Sequence, residues 1–212
     1  MNSSQSDTHT IAVSGVAGSG KTTLVRNLAR VLPSASPLFS DTYRSVALWA
    51  KRYQQDGLNA AESIEQWFRD GFPADDYWSV PQLVDDIRAL QQGQSIHTPE
   101  PMWEGGEHHI EPARFILLED CWAHRSEMRP LVSAFVHIHC PLDIALARRI
   151  QRDLRQGENL HALMEQYLDI GHTYSNFVNQ SKAHHALILD GTLHMDKITQ
   201  DALRWIQQTF PS

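Results

Sequence analysis

Short apolar runs alternate along the chain with longer stretches in which apolar positions recur every three or four residues. The short runs, at residues 11–14, 38–40, 115–118, 134–139 and 186–189, read as β-strands. From Lys21 onward, Leu24, Val25, Leu28, Val31 and Leu32 keep helical spacing until Pro33 stops the helix, so a first helix follows the first strand directly. Between Ser79 and Gly93, a Ser79/Gln82 capping box opens a helix with the apolar face Leu83, Val84, Ile87 and Leu90, and Gly93 closes it. Further helices are expected over residues 44–55, 141–155, 160–181 and 195–208. Strands alternating with helices predict an α/β fold, a doubly wound, mainly parallel five-stranded sheet with helices on both faces. Residues 98–112 carry Pro99, Pro101, Pro112 and the pair Gly105 and Gly106, which suits either an ordered loop near a site or a long connector.

At 212 residues, 42% of them hydrophobic, the chain is the size of one domain, expected over residues 10–212 behind a polar, loose tail at 1–9. The tail has no apolar core, and no apolar run approaches the roughly 18–20 residues of a membrane span, so a cytoplasmic protein without a membrane partner is expected. Cys121 and Cys140 fit neither a CxxC pair nor a disulfide framework and read as packed thiols. A net charge of -7 argues against a nucleic-acid polymer, whose backbone needs clustered cations, yet the arginines between Arg148 and Arg155 leave room for a small anion. Whether copies of the chain form a homo-oligomer stays open.

Residues 15–22 read G-V-A-G-S-G-K-T, which meets every fixed position of the phosphate-binding pattern G-x-x-x-x-G-K-[ST], between a predicted strand and a predicted helix. Gly15, Gly18, Ser19 and Gly20 would let main-chain N–H groups turn toward phosphate oxygens, helped by the positive end of the helix. Lys21 would neutralise the β- and γ-phosphates, and the Thr22 hydroxyl stands where it can ligate the magnesium that bridges them. Thr23 is placed to reach the α-phosphate. These positions predict a P-loop NTPase fold that binds a nucleoside triphosphate with Mg²⁺.

Phosphoryl transfer to a hydroxyl also needs a base for the acceptor and an acid that organises the metal. Asp41 follows the second predicted strand, at the sheet rim where open α/β folds bind ligands, and is the candidate base. Glu119 and Asp120 follow the apolar run 115–118, and Glu119 is preferred as the carboxylate directed at magnesium. No N-K-x-D string is present to read guanine as a GTPase would. The 12 histidines include the pairs His108 with His109, His137 with His139 and His184 with His185, but none has a third ligand at zinc-like spacing. The competing reading from another class is a regulator that binds ATP as a signal and transfers nothing.

The segments S-D-T-Y-R at 40–44, L-L-E-D at 117–120 and A-R-R-I-Q-R-D at 147–153 resemble the uridine kinase family, which includes relatives acting on nicotinamide riboside. The resemblance runs from about residue 11 to 192. It implies an ATP-dependent, magnesium-dependent kinase for the hydroxyl of a small-molecule acceptor, with Asp41 as base and Glu119 closing the third strand. It further implies a nucleoside-like riboside as acceptor, with another riboside, a sugar or a vitamin precursor as the runners-up. Arg148, Arg149 and Arg152 would be carried on a small lid at about 148–160 that clamps the triphosphate. An acceptor-binding segment at about 42–112 would include Tyr43. P-M-W-E-G-G-E-H at 101–108 is similar to the family's acceptor loop, with Trp103 as the stacking ring and His108 as the base-contacting histidine. Q-G-E-N at 156–159 stands where the family has an arginine-glycine-arginine lid, Asp120 replaces a glycine, and Pro73 replaces an acidic acceptor-binding residue.

Overall fold

Five strands, His9–Gly15 (β1), Ala35–Phe39 (β2), Phe115–Glu119 (β5), Ala134–His139 (β6) and Leu187–Asp190 (β7), form one parallel sheet in the order β2-β5-β1-β6-β7. In the computed structural model, residues 8–43, 80–99, 109–121, 123, 127–168, 178 and 186–211 are described. Two-sided burial explains the apolar runs: Ile11 and Val13 of β1 face one cluster while Ala12 faces the other, and Leu117 alternates in the same way with Ile116 and Leu118. The first face is covered by Leu24, Val25 and Leu28 of Lys21–Val31 (α1) and by Ile198, Ala202 and Ile206 of a C-terminal helix. The second is covered by Leu83, Ile87 and Leu90 of Val80–Gln91 (α2). Leu142–Arg155 (α3), Leu160–Gln166 (α4) and Met195–Thr209 (α5), the C-terminal helix, complete the described helices.

Agreement with the sequence is close where an element carries a clear apolar run or a helical apolar spacing. β1, β5, β6, α1, α3 and α5 fall within two residues of their predicted ends. β2 starts three residues earlier than predicted, because Ser36 and Pro37 hide it from an apolar count. As the edge strand it needs hydrogen bonds only on its β5 side, so a proline is tolerated there. The α2 turn closes at Gly93, whose φ of 78° is left-handed.

A two-stranded antiparallel ribbon, Ile96–His97 (β3) with His109–Ile110 (β4), closes the base of the proline-rich stretch and was not foreseen, since two residues carry no periodicity. Of the predicted helix at 160–181, α4 supplies the first seven residues; Asn159 caps it by accepting from the N–H groups of His161 and Ala162 at 2.9 and 3.2 Å. Ser79 and the expected helix at 44–55 lie outside the described residues. Both cysteines are buried thiols. No helix among the described residues is long and apolar enough to cross a membrane.

Candidate active site

β1 occupies the centre of the sheet, flanked by β5 and β6, and its C-terminal end is where connections leave in opposite directions. Such an end is the crevice in which open α/β sheets bind ligands. The chain there turns through residues 16–20 and enters α1 at Lys21. Two glycines make the turn, Gly18 with φ 85° and Gly20 with φ 103°. A Cβ on Gly18 would collide with the carbonyl oxygen of Ala145 in α3, so the loop and that helix meet backbone to backbone. Gly18→Ala is expected to combine left-handed strain with this clash and cost about 2–3 kcal/mol, a Tm drop of roughly 4–12 °C in a thermal melt of a chain this size.

Ser19 is fully buried, and its Oγ has no hydrogen-bond partner among the described residues. An unmatched buried hydroxyl costs roughly 1–3 kcal/mol, which fits a loop shaped for an acceptor oxygen brought by a ligand. The first turn of α1 contains no acidic residue, so the positive end of the helix is left uncompensated by its own sequence. Thr22 is half-buried and Thr23 exposed in that turn.

Lys21 is 9% exposed and folds back over the loop, donating from Nζ to the Val16 carbonyl at 3.3 Å. The same Nζ lies 3.9 Å from Glu119 Oε1. Glu119 ends β5 in register between Val13 of β1 and Phe39 of β2. Burial pushes its carboxyl above the usual carboxylate range, while the Lys21 charge pulls it back; Asp41 raises it, a hydrogen bond from Thr22 lowers it, and Asp120 raises it. Asp41 sits in the 3-10 turn Ser40–Tyr43 that follows β2 directly. Three adjacent strands thus deliver Lys21 with Thr22, Glu119, and Asp41 to one edge. Asp120 is buried beside it, its N–H bonded to the Val13 carbonyl at 3.2 Å.

The remaining predicted residues separate. Arg149 lies against the loop, its main-chain N 3.3 Å from where a Gly18 Cβ would be, and its Nε donates to Asp153 Oδ2 at 3.4 Å. Arg152 Nε donates to the other oxygen of the same buried carboxylate at 2.6 Å. Arg148 is turned away from the cradle toward the loop after β7, donating to the Gly191 carbonyl at 2.6 Å. Tyr43 is buried with its hydroxyl on Asp86 of α2 at 2.6 Å. Pro73, Trp103 and His108 lie outside the described residues. His137 is buried in the sheet with Nδ1 3.0 Å from Ser14 Oγ.

Asp153 and Asp86 were missed by the sequence reading. Asp86 had a legible signal: it falls three residues after Leu83 and four before Leu90, so the apolar face of α2 carries a carboxylate along its stripe.

Among the described residues no three His, Cys, Asp or Glu side chains converge on a common point. Magnesium does not need such a cage, since it keeps several waters and takes one or two protein oxygens beside the phosphates. The hydrogen-bonded hydroxyl of Thr22 and carboxylate of Glu119, beside the glycine turn, form an all-oxygen donor set that fits it.

A model of the phosphoribulokinase/uridine kinase family matches residues 10–196 of the chain. A uridine kinase from Borrelia turicatae is 27% identical over 197 residues, 88% of each chain. Two solved structures share the fold at lower identity. One, from Silicibacter sp. TM1040 and provisionally described as a fructose transport system kinase, has a TM-score of 0.65 at 18% identity and covers 89% of this chain and 92% of its own. The other, a possible uridine kinase from Bacillus stearothermophilus, has a TM-score of 0.57 at 17% identity and covers 86% and 89%.

Proposed function

Because the chain belongs to the phosphoribulokinase/uridine kinase family and is an ATP-dependent small-molecule kinase, we propose that it transfers the γ-phosphoryl group of ATP to a ribose hydroxyl of a nucleoside-like acceptor in the cytoplasm. The observation that carries this reading is the meeting of Lys21, Thr22, Glu119 and Asp41 at the C-terminal ends of three adjacent strands. Each has a separate part. The turn at residues 15–20 and the first turn of α1 hold the phosphates through main-chain N–H groups. Lys21 neutralises charge on the β- and γ-phosphates. Thr22 and Glu119 would hold magnesium, which when bound offsets charge on the phosphate oxygens. Asp41 accepts the proton of the acceptor hydroxyl as its oxygen attacks phosphorus and the β–γ bridging oxygen leaves with ADP. Arg149, already against the loop, supplies further positive charge once its bond to Asp153 is exchanged for a phosphate, and Arg152 does so from one turn along α3. Arg148, whose guanidinium bonds the Gly191 carbonyl, positions the loop after β7.

A riboside acceptor is supported by the similarity of 101–108 to the family's acceptor loop and by the uridine kinase relative. Trp103 stacks on the base and His108 contacts it in this reading. The test is a thermal-shift panel with magnesium and a non-hydrolysable ATP analogue, adding uridine, cytidine, nicotinamide riboside, a hexose or a non-nucleoside alcohol. A ligand at 100 times its Kd stabilises by about 2.7 kcal/mol, a rise of roughly 5–11 °C. A riboside should give that rise. A rise with the hexose or the alcohol and none with any riboside contradicts the acceptor assignment and leaves the kinase reading standing.

A further inference from the structure

A general base acts only within hydrogen-bond reach of the proton it takes, about 2.6–3.2 Å, and a misplacement of 1 Å can cost about 10²-fold in rate. Asp41 sits on a single 3-10 turn of four residues, an element with poor hydrogen-bond geometry that holds its shape weakly on its own. Two bonds steady the turn from within and without. Thr42 Oγ1 donates to the Phe39 carbonyl at 2.8 Å, closing the turn on the end of β2. Tyr43, two residues after Asp41, buries its ring in the cluster that holds Leu83 and Ile87 and donates its hydroxyl to Asp86 Oδ2 at 2.6 Å.

The acceptor of that bond belongs to a stiff element. Leu83, Ile87 and Leu90 of α2 are fully buried, and Gln91 at its end donates from Nε2 to Thr10 Oγ1 at 3.0 Å and to the Leu131 carbonyl at 2.8 Å. The phenol-to-carboxylate bond is charge-assisted and partly shielded from water, which makes it stronger and shorter than a neutral one. Burial raises the Asp86 carboxyl above its usual range, the Tyr43 bond opposes that rise, and the neighbouring Asp85 adds to it. A core tyrosine could be held by packing alone; a 2.6 Å bond to a carboxylate instead fixes the ring's depth and rotation, and with them the turn.

We propose that Asp86 is a positioning residue for phosphoryl transfer, acting through the Tyr43 hydroxyl to fix the turn that carries Asp41. The proposal rests on Asp41 being the general base. It makes α2, which touches neither nucleotide nor metal in the reading above, a determinant of the chemical step.

The experiment measures kcat and both KM values with Mg-ATP and uridine, for Tyr43→Phe, Asp86→Ala, Asp86→Asn and the Tyr43→Phe/Asp86→Ala double variant. Tyr43→Phe and Asp86→Ala should each lower kcat about 10- to 100-fold and leave the KM for ATP unchanged. The double variant should be no slower than the slower single one, because both remove the same bond. Asp86→Asn, which keeps an acceptor oxygen, should retain most of the rate. Tyr43→Phe removes one buried hydroxyl and preserves the ring, so it decides the matter even if Asp86→Ala fails to fold. Full kcat in Tyr43→Phe, or losses that add in the double variant, overturns the proposal. If Asp41→Asn itself keeps full acceptor-dependent turnover, the assignment of the base fails first, an outcome distinct from a silent Tyr43→Phe.

Discussion

Lys21→Ala is expected to lower kcat/KM for ATP by about 10²–10³-fold, equivalent to roughly 3–4 kcal/mol of lost transition-state stabilisation. The loss has two sources. The ammonium that meets the β- and γ-phosphates is gone, and Glu119 loses the charge that opposes the effect of burial on its carboxyl. Glu119 then shifts further toward its neutral form and holds a cation less well. The fold should survive, because Lys21 contributes one hydrogen bond to Val16 and an ion pair at 3.9 Å and does not belong to either apolar cluster. ADP release and a thermal melt on the same preparation check this: a cooperative melt near that of the wild type with turnover collapsed is the expected pair of results, and near-normal turnover would remove the glycine turn from the reaction.

Asp41→Asn should separate binding from chemistry more cleanly. The amide keeps the shape of the side chain and cannot take a proton at neutral pH, so kcat should fall about 10²–10⁴-fold, the usual worth of a general base. Affinity for a non-hydrolysable ATP analogue should not fall, since Asp41 lies after β2 and the phosphate cradle is built on β1 and α1. It should even rise slightly, because Asp41 pushes up the carboxyl of Glu119 and its neutral replacement does not. A joint loss of nucleotide affinity and melting temperature, with turnover per bound enzyme intact, would give Asp41 a structural part instead.

What could be read in advance follows from how strongly each feature is written into residue type. The glycine turn was legible because its left-handed φ at Gly20, and at Gly18 a φ of the same hand with a site where a Cβ would collide with the Ala145 carbonyl, strongly favour glycine. The central strands were legible because burial on both faces leaves only apolar residues at positions such as 11–13 and 115–118. The places of Glu119 at the end of one strand and Asp41 just after another were legible, a matter of topology that a parallel sheet imposes. Direction of side chains was less legible. That Arg148 turns to Gly191 while Arg149 and Arg152 share the buried Asp153 depends on helical phase against neighbours far away in sequence. Tyr43 presented the same difficulty: spacing places it beside Asp41, but only the packing of α2 shows its hydroxyl on Asp86. The short ribbon of β3 and β4 left no periodic trace at all.

In the proposed reaction this edge of the sheet moves the γ-phosphoryl group of ATP to an acceptor hydroxyl. Following label from γ-phosphate-labelled ATP into product, with wild type and Asp41→Asn side by side at saturating Mg-ATP, tests it most directly. Label should appear on the riboside only when wild type and acceptor are both present, in step with ADP, and should be almost completely lost in the variant while nucleotide is still bound. Label found only in inorganic phosphate, at a rate no acceptor alters and Asp41→Asn does not change, would contradict it.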